Sequence, residues 1–341
     1  MPLLVAEAEE EEDVPRQPPK VLAVWFSYGM HACTTYLDQT CHGGWPGAAA
    51  ARIEARFPGS VALPAIGCSG DLASRDYLRI EADQVAGAFG DDANFAGYVG
   101  AMLAARNKSA GALCDVASRA VVGEEEEEDG PGYHRGAAAA IAVSTRVLHL
   151  PLDHAAARDP VHAWARVLRT HLDREGGPNA GEHDFSNLRQ WPLLVQRTRL
   201  HRFFARFHLE HSIRRRNRPV TTLPYPITTV CFSSSTSGRN DDRVCVVFLA
   251  GEPVVDFAHL LRRRVAERDA TTRLVVVGYS NAMPGYIASK KVVREGGYEA
   301  GEMPDQNSYL YYMLPGQLAE AAEAMIVEAV AEMVDEAQNR F

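Results

Sequence analysis

The sequence predicts an α/β fold, a layered domain with a largely parallel or mixed sheet covered by helices. Two observations carry this expectation. Apolar, β-branched runs recur at 21–28, 60–67, 226–232, 243–251 and 272–280, each ending in small or polar residues. Segments with the three- and four-residue apolar spacing of packed helices accompany them, clearest at 254–268 and 316–337. Continuous rather than alternating apolar runs suit strands buried on both faces. In such folds, sites form in the loops leaving the C-terminal ends of strands, so the chemistry is sought there.

The elements follow in order. Residues 1–20 combine an acidic run with "PRQPP" and read as a disordered tail ahead of a single domain over 21–341. "VLAVWFSY" is the first strand, "WPGAAAARIEARF" (45–57) a helix that tolerates Pro46 in its first turn, and "SVALPAIG" the second strand. Residues 81–106 read as helix and 123–132 as an acidic loop. "AAAAIAVSTRVLHLPL" (137–152) is open between an alanine-rich helix and a strand, and 160–215 is helical in character. Strands at 226–232, 243–251 and 272–280 follow, with an amphipathic helix at 254–268. A last helix carries Leu318, Ala322, Met325, Ala329 and Met333 on its apolar stripe.

Composition narrows the function classes. With 341 residues, 46% apolar and 23% charged, the chain has ample material for a sizeable core. A formal charge of −9 speaks against a surface built for nucleic acid, and no nucleic-acid partner is expected. No apolar stretch approaches a membrane span, and the acid-rich start is unlike a signal peptide, so the chain as written reads as cytoplasmic. Six cysteines without a C-x-x-C pair read as reduced, mostly buried thiols.

The strand ends "SYGMHAC", "GCSGDLAS", "LAGEP" and "GYSNAMPGY" offer His31, Asp71, Glu252, Tyr279 and Tyr286 as donors. A histidine, a carboxylate and one further oxygen make an ordinary zinc set. The spacing itself is not diagnostic, since the donors come from separate strands without a short ligand motif. From position alone the preferred readings are a hydrogen-bonded strand-end histidine for His31, a cap for the helix after it for Glu252, and an organiser of its own turn for Asp71.

The ordered set "HAC", "WPGAAAARIE", "GCSGD", "AGEPVVDF", "GYSNAMPGYIASKKVVREGGYEA" and "YYMLPG" resembles the neutral/alkaline non-lysosomal ceramidases, and among them the shorter bacterial-type relatives. The resemblance runs from about residue 20 to 335 and is most specific at 278–299, where Tyr286 and Tyr298 lie in G-Y-I and G-G-Y-E. It implies zinc-dependent hydrolysis of the amide bond of ceramide (N-acylsphingosine) or a related N-acyl lipid by metal-activated water. It implies one Zn²⁺ held by His31, Glu252 and Tyr286, with Tyr298 donating to the oxyanion of the tetrahedral intermediate. Asp71 and Ser74 fall in the family's catalytic loop.

The sequence also departs from the family's pattern. No H-x-H motif precedes His31, so the expectation is a domain lacking its N-terminal portion, with zinc weakly held for want of one ligand. Ala73 stands where the family has an active-site serine, with Ser74 one place along. Gly44 replaces an acidic residue two before the proline. These departures support an alternative function, a catalytically impaired relative serving as a lipid- or protein-binding scaffold. The basic, aromatic stretch 197–219 has two readings, a helix making peripheral membrane contact and a helix packing its aromatic face on the core; the second is preferred.

Overall fold

The computed structural model describes residues 2–6, 21–32, 43–73, 104–115, 138–153, 221–234, 243–301, 312, 314 and 316–339. The expectations for 7–20, 81–103, 123–132, 160–215, the stretch 197–219 and Ser74 lie outside these residues.

Three sheets form. The first has the order β1 (Pro2–Ala6), β2 (Val21–Tyr28), β3 (Val61–Ile66), with β2 and β3 parallel and β1 antiparallel to β2. Pro2–Ala6 thus departs from the disordered tail expected for 1–20. Its Leu-Leu-Val run pairs with the edge of β2, where a ladder partner replaces water for its backbone groups. The second sheet has the order β4 (Ala138–Pro151), β5 (Thr222–Ser234), β6 (Arg243–Leu249), β8 (Thr272–Val277). Its β4–β5–β6 pairs are antiparallel and β6–β8 is parallel. The third is a short parallel pair, β7 (Glu252–Pro253) with β9 (Tyr286–Ile287). The sheets are open and mixed, and helices flank them.

Helices α1 (Gly44–Arg56), α2 (104–115), α3 (Val255–Arg268), α4 (Lys290–Glu295) and α5 (Ala321–Gln338) complete the described elements. α3 and α5 cover one face of the four-stranded sheet. Phe257, Leu261 and Val265 from α3 and Ile326, Val330 and Met333 from α5 meet Leu150, Tyr225, Ile227, Val247 and Leu249 in the main core. Fully burying a side chain of this size contributes about 1.5–3 kcal/mol, so this layer dominates stability. The opposite face of β6 and β8 (Val246, Val275, Val277) packs on Trp25 and Ala65 of the first sheet. That explains why β6 and β8 read as continuous apolar runs. The Ser27 hydroxyl donates to Val276 O and Gly278 N donates to Ile66 O, tying the two sheets where their strands end.

One open reading is decided and two further expectations are corrected. The alanine-rich start of 137–152 is strand, paired along its length with β5, so a cross-strand ladder overrides local helix propensity. On α5 Ile326 takes the buried position, whereas Met325 is 38% exposed. Cys231 and Cys245 are joined in a disulfide rather than reduced, because they are directly opposite on β5 and β6. Cys68, by contrast, is free and buried, and desolvation pushes its thiol up to about 12.

Candidate functional site

Loops leaving β2, β3, β6 and β8 converge, and each contributes a polar side chain. His31 follows β2 by three residues. Its backbone is fixed by His31 N donating to Leu72 O (2.9 Å) and by the buried Trp45 indole, which donates to Met30 O (3.2 Å) and His31 O (3.1 Å). Leu72 O also lies 3.0 Å from Nδ1. A carbonyl only accepts, so Nδ1 carries the proton and Nε2 is directed into the site.

Glu252 stands on β7 after the β6 end, and its side chain is nearly buried. Its backbone is paired across from Tyr286 of β9, and Glu252 N donates to Gly285 O. Oε2 meets His31 Nε2 at 3.0 Å and accepts from the Tyr279 hydroxyl at 3.1 Å. Oε1 accepts from the Tyr312 hydroxyl. Tyr279 Oη also lies 3.3 Å from His31 Nε2 and accepts from the fully buried Ser69 hydroxyl at 3.0 Å. One carboxylate, one imidazole and two phenols therefore share a single point, with a serine behind.

Electrostatics follow from these contacts. Burial pulls the His31 pKa down, but the Glu252 hydrogen bond, the Leu72 carbonyl and the Glu252 charge outweigh it and leave His31 raised. Burial pushes Glu252 up, but hydrogen bonds from His31 and Tyr312, the His31 charge and Tyr279 leave it lowered. Each member of the pair thus favours the charged form of the other. Burial and then the Glu252 charge push the Tyr286 phenol up, and burial with the Glu252 hydrogen bond does the same for Tyr312. Both remain protonated donors at neutral pH.

The residues singled out from sequence are distributed as follows. His31 and Glu252 are in direct contact. Tyr286 joins them through its ring, 6.4 Å centroid to centroid from His31, and stacks edge-on with Tyr298 at 5.3 Å and Tyr312 at 6.3 Å. Asp71 does not enter the cluster. Its Oδ1 accepts from Val255 N at 2.7 Å and caps α3 from a neighbouring loop. That satisfies one of the orphan donors of the helix start, so Glu252 has no capping duty. A cavity of about 20 Å³ beside Tyr286, lined also by Val293, Glu299, Leu314 and Leu318, has room for a water rather than an alkyl chain. Ser69 and Tyr312 were missed in the sequence, although both lie in stretches that carried the resemblance, "GCSGD" and "YYMLPG". Among the described residues, no three His, Cys, Asp or Glu side chains gather in one group. No helix among them is long and apolar enough to cross a membrane.

No protein-family model and no curated protein matches the sequence. Two solved structures are similar over 93% of the chain. One is a ceramidase complexed with C2, at 13% identity and a TM-score of 0.41. The other is neutral ceramidase from Pseudomonas aeruginosa, at 14% identity and a TM-score of 0.42. The chain spans 46% and 45% of their lengths, less than half of each.

Proposed function

We propose that the chain is a metal-dependent amidohydrolase acting on the amide bond of ceramide or a related N-acyl lipid. The observation that carries this reading is the meeting of His31 Nε2 and Glu252 Oε2 at 3.0 Å beside tyrosine hydroxyls, at residues the sequence resemblance singles out. Zinc suits the donor set. Two ligands at ~2.0–2.1 Å from a tetrahedral zinc lie about 3.3 Å apart, close to the separation found. The His31 Nδ1 proton held on Leu72 O is the arrangement that leaves Nε2 as a ligand lone pair. His31, Glu252 and one phenol would hold the ion. When bound, zinc supplies Lewis acidity toward the amide carbonyl and lowers the pKa of water.

The remaining steps belong to side chains of the chain itself. Tyr298, which the resemblance assigns to the oxyanion, is edge-on to Tyr286 beside His31. A phenol donor of this kind lowers a barrier by ~3–4 kcal/mol. Tyr312 holds Glu252 Oε1 and so fixes the carboxylate plane. Asp71 anchors the start of α3 and thereby the β7 segment that presents Glu252.

A second reading, a binding scaffold of the same fold without turnover, is favoured by one observation: Ala73 occupies the place of the family's serine. Hydrolysis of a fluorogenic N-acylsphingosine by wild type, Glu252→Gln and Tyr298→Phe separates the two. The amidohydrolase reading expects zinc-dependent turnover that falls ~10²–10³-fold in Tyr298→Phe. Zinc-loaded wild type without turnover on ceramide and other N-acyl lipids would leave the scaffold.

A further inference from the structure

We infer that Tyr279, rather than the Tyr286 suggested by resemblance, is the phenol that completes the cation site with His31 and Glu252. The inference rests on the metal-dependent reading above and deepens it. Three observations carry it.

The first is the triangle of donor atoms. His31 Nε2 to Glu252 Oε2 is 3.0 Å, Glu252 Oε2 to Tyr279 Oη is 3.1 Å, and Tyr279 Oη to His31 Nε2 is 3.3 Å. Three ligands on one face of a tetrahedral zinc are separated by about 3.3 Å on every edge. The three separations found differ from this by at most about 0.3 Å. Tyr286 reaches the same region as a ring packed against His31, Tyr298 and Tyr312.

The second is the backbone of Tyr279. Its φ is 54°, in the left-handed region that a bulky aromatic residue rarely adopts. Such a conformation costs about 1–3 kcal/mol and persists only where its surroundings impose it. Here three successive amides are pinned: Gly278 N to Ile66 O, Tyr279 N to Gly251 O, and Ser280 N to Leu249 O. The strain turns the phenol back toward the end of β2 instead of letting it follow β8 outward.

The third is Ser69. It is fully buried and donates its hydroxyl to Tyr279 Oη at 3.0 Å. A phenol whose oxygen accepts a hydrogen bond from behind has its orientation fixed toward His31 and Glu252. Outer partners of this kind orient a ligand and raise its fitness for metal. For a cation to take this place, the Tyr279 hydroxyl proton, which it donates to Glu252 Oε2, and the proton that His31 Nε2 directs at Glu252 would both leave to solvent, while the Ser69 bond would stay on the Tyr279 oxygen.

The test uses the full chain stripped of metal, titrated with ZnCl2 by calorimetry and with CuCl2 by visible absorption, which reports phenolate-to-copper charge transfer. Wild type, Tyr279→Phe, Tyr286→Phe and Ser69→Ala are compared, with folding checked by circular dichroism. The inference expects Tyr279→Phe to lose the charge-transfer band and more than ~10-fold in zinc affinity, Ser69→Ala to lose ~10-fold, and Tyr286→Phe to keep the band. A band lost in Tyr286→Phe and kept in Tyr279→Phe overturns the inference and leaves the metal-dependent reading intact. Wild type that takes up neither metal overturns that reading, and the inference with it. If Tyr279→Phe does not fold, unchanged affinity and band in Ser69→Ala overturn the inference.

Discussion

A methyl group added at Gly70 tests how tightly the strand-end loops must approach to assemble the site. In Gly70→Ala the new Cβ would lie 2.5 Å from Glu252 O and 3.2 Å from the carbonyl carbons of Glu252 and Pro253. Ordinary contact begins at 3.4 Å, so β7 would have to retreat by about 0.9 Å. It is not free to do so, because Gly70 N is bonded to Pro253 O, Glu252 N to Gly285 O and Gly251 N to Ala282 O. Overpacking against such backbone costs ~1–3 kcal/mol, which corresponds to a fall in Tm of roughly 2–10 °C. The same retreat would stretch the 3.0 Å contact between His31 and Glu252 beyond hydrogen-bond reach. Thermal melting and zinc titration should therefore fall together. Gly59→Ala is the control: its φ is positive (88°), unlike that of Gly70, so it carries backbone strain of its own, but the added Cβ meets nothing within 4 Å. It should lower stability by about 1 kcal/mol without touching zinc affinity. A Gly70→Ala protein that melts with wild type and binds zinc equally would refute the close approach of these loops.

Other perturbations address other parts of the fold. Trp45→Phe removes the indole donor to Met30 O and His31 O, and should cost ~1–3 kcal/mol in urea unfolding and weaken zinc binding; unchanged values for both would contradict the anchoring of His31 by α1. In metal-free protein the His31–Glu252 pair should stabilise in a bounded pH window. His31 is raised above 6.5, so its contribution is full below pH 6.5 and is lost as pH rises through the raised value. Glu252 is lowered below 4.5, so its contribution is present above pH 4.5 and is lost as pH falls through the lowered value. The stability difference between wild type and His31→Gln in denaturant should peak between about pH 4.5 and 6.5, and a flat difference would contradict the ion pair. Reduction of Cys231–Cys245, which closes a sequence separation of 14, should lower stability by about 3 kcal/mol. Thiol counting alongside the melt checks it, and an oxidised protein showing all six thiols would exclude the bridge.

The sequence was most legible where one physical signal dominated. The Val-rich runs of β6 and β8 could only be strands covered on both sides, and they are. The amphipathic spacing of α3 was equally plain, with Phe257, Leu261 and Val265 all buried. Reading was harder where partners decide. Ala138–Ala142 becomes strand only because β5 lies beside it, and the Cys231–Cys245 bridge depends on a register that spacing does not reveal. Met325 was placed one position from the true face of α5: Ile326, about 100° further round the helix, lies between Ala322 and Ala329 on the buried side.

The site was legible in part for the same reason. His31 and Glu252 stood at strand ends, the places where such folds expose chemistry, and the structure brings them together. Tyr279 was visible as a donor, but nothing in the sequence shows that φ of 54° turns it inward. Ser69 and Tyr312 act through oxygens from other loops, at separations in sequence of 210 and 60 residues from their partners. Asp71 looked like a turn organiser or a catalytic-loop residue, and its contact with Val255 N, 184 residues away, is a capping role that sequence proximity conceals.

The most direct test of the account is the zinc content of purified, zinc-dialysed protein measured by mass spectrometry for wild type and for Glu252→Gln. Glu252 is the residue that touches His31, Tyr279 and Tyr312 alike, so it is the common element of every claim about the site. The account predicts one zinc per wild-type chain and its loss in the variant. Equal and substoichiometric zinc in the two proteins would contradict it.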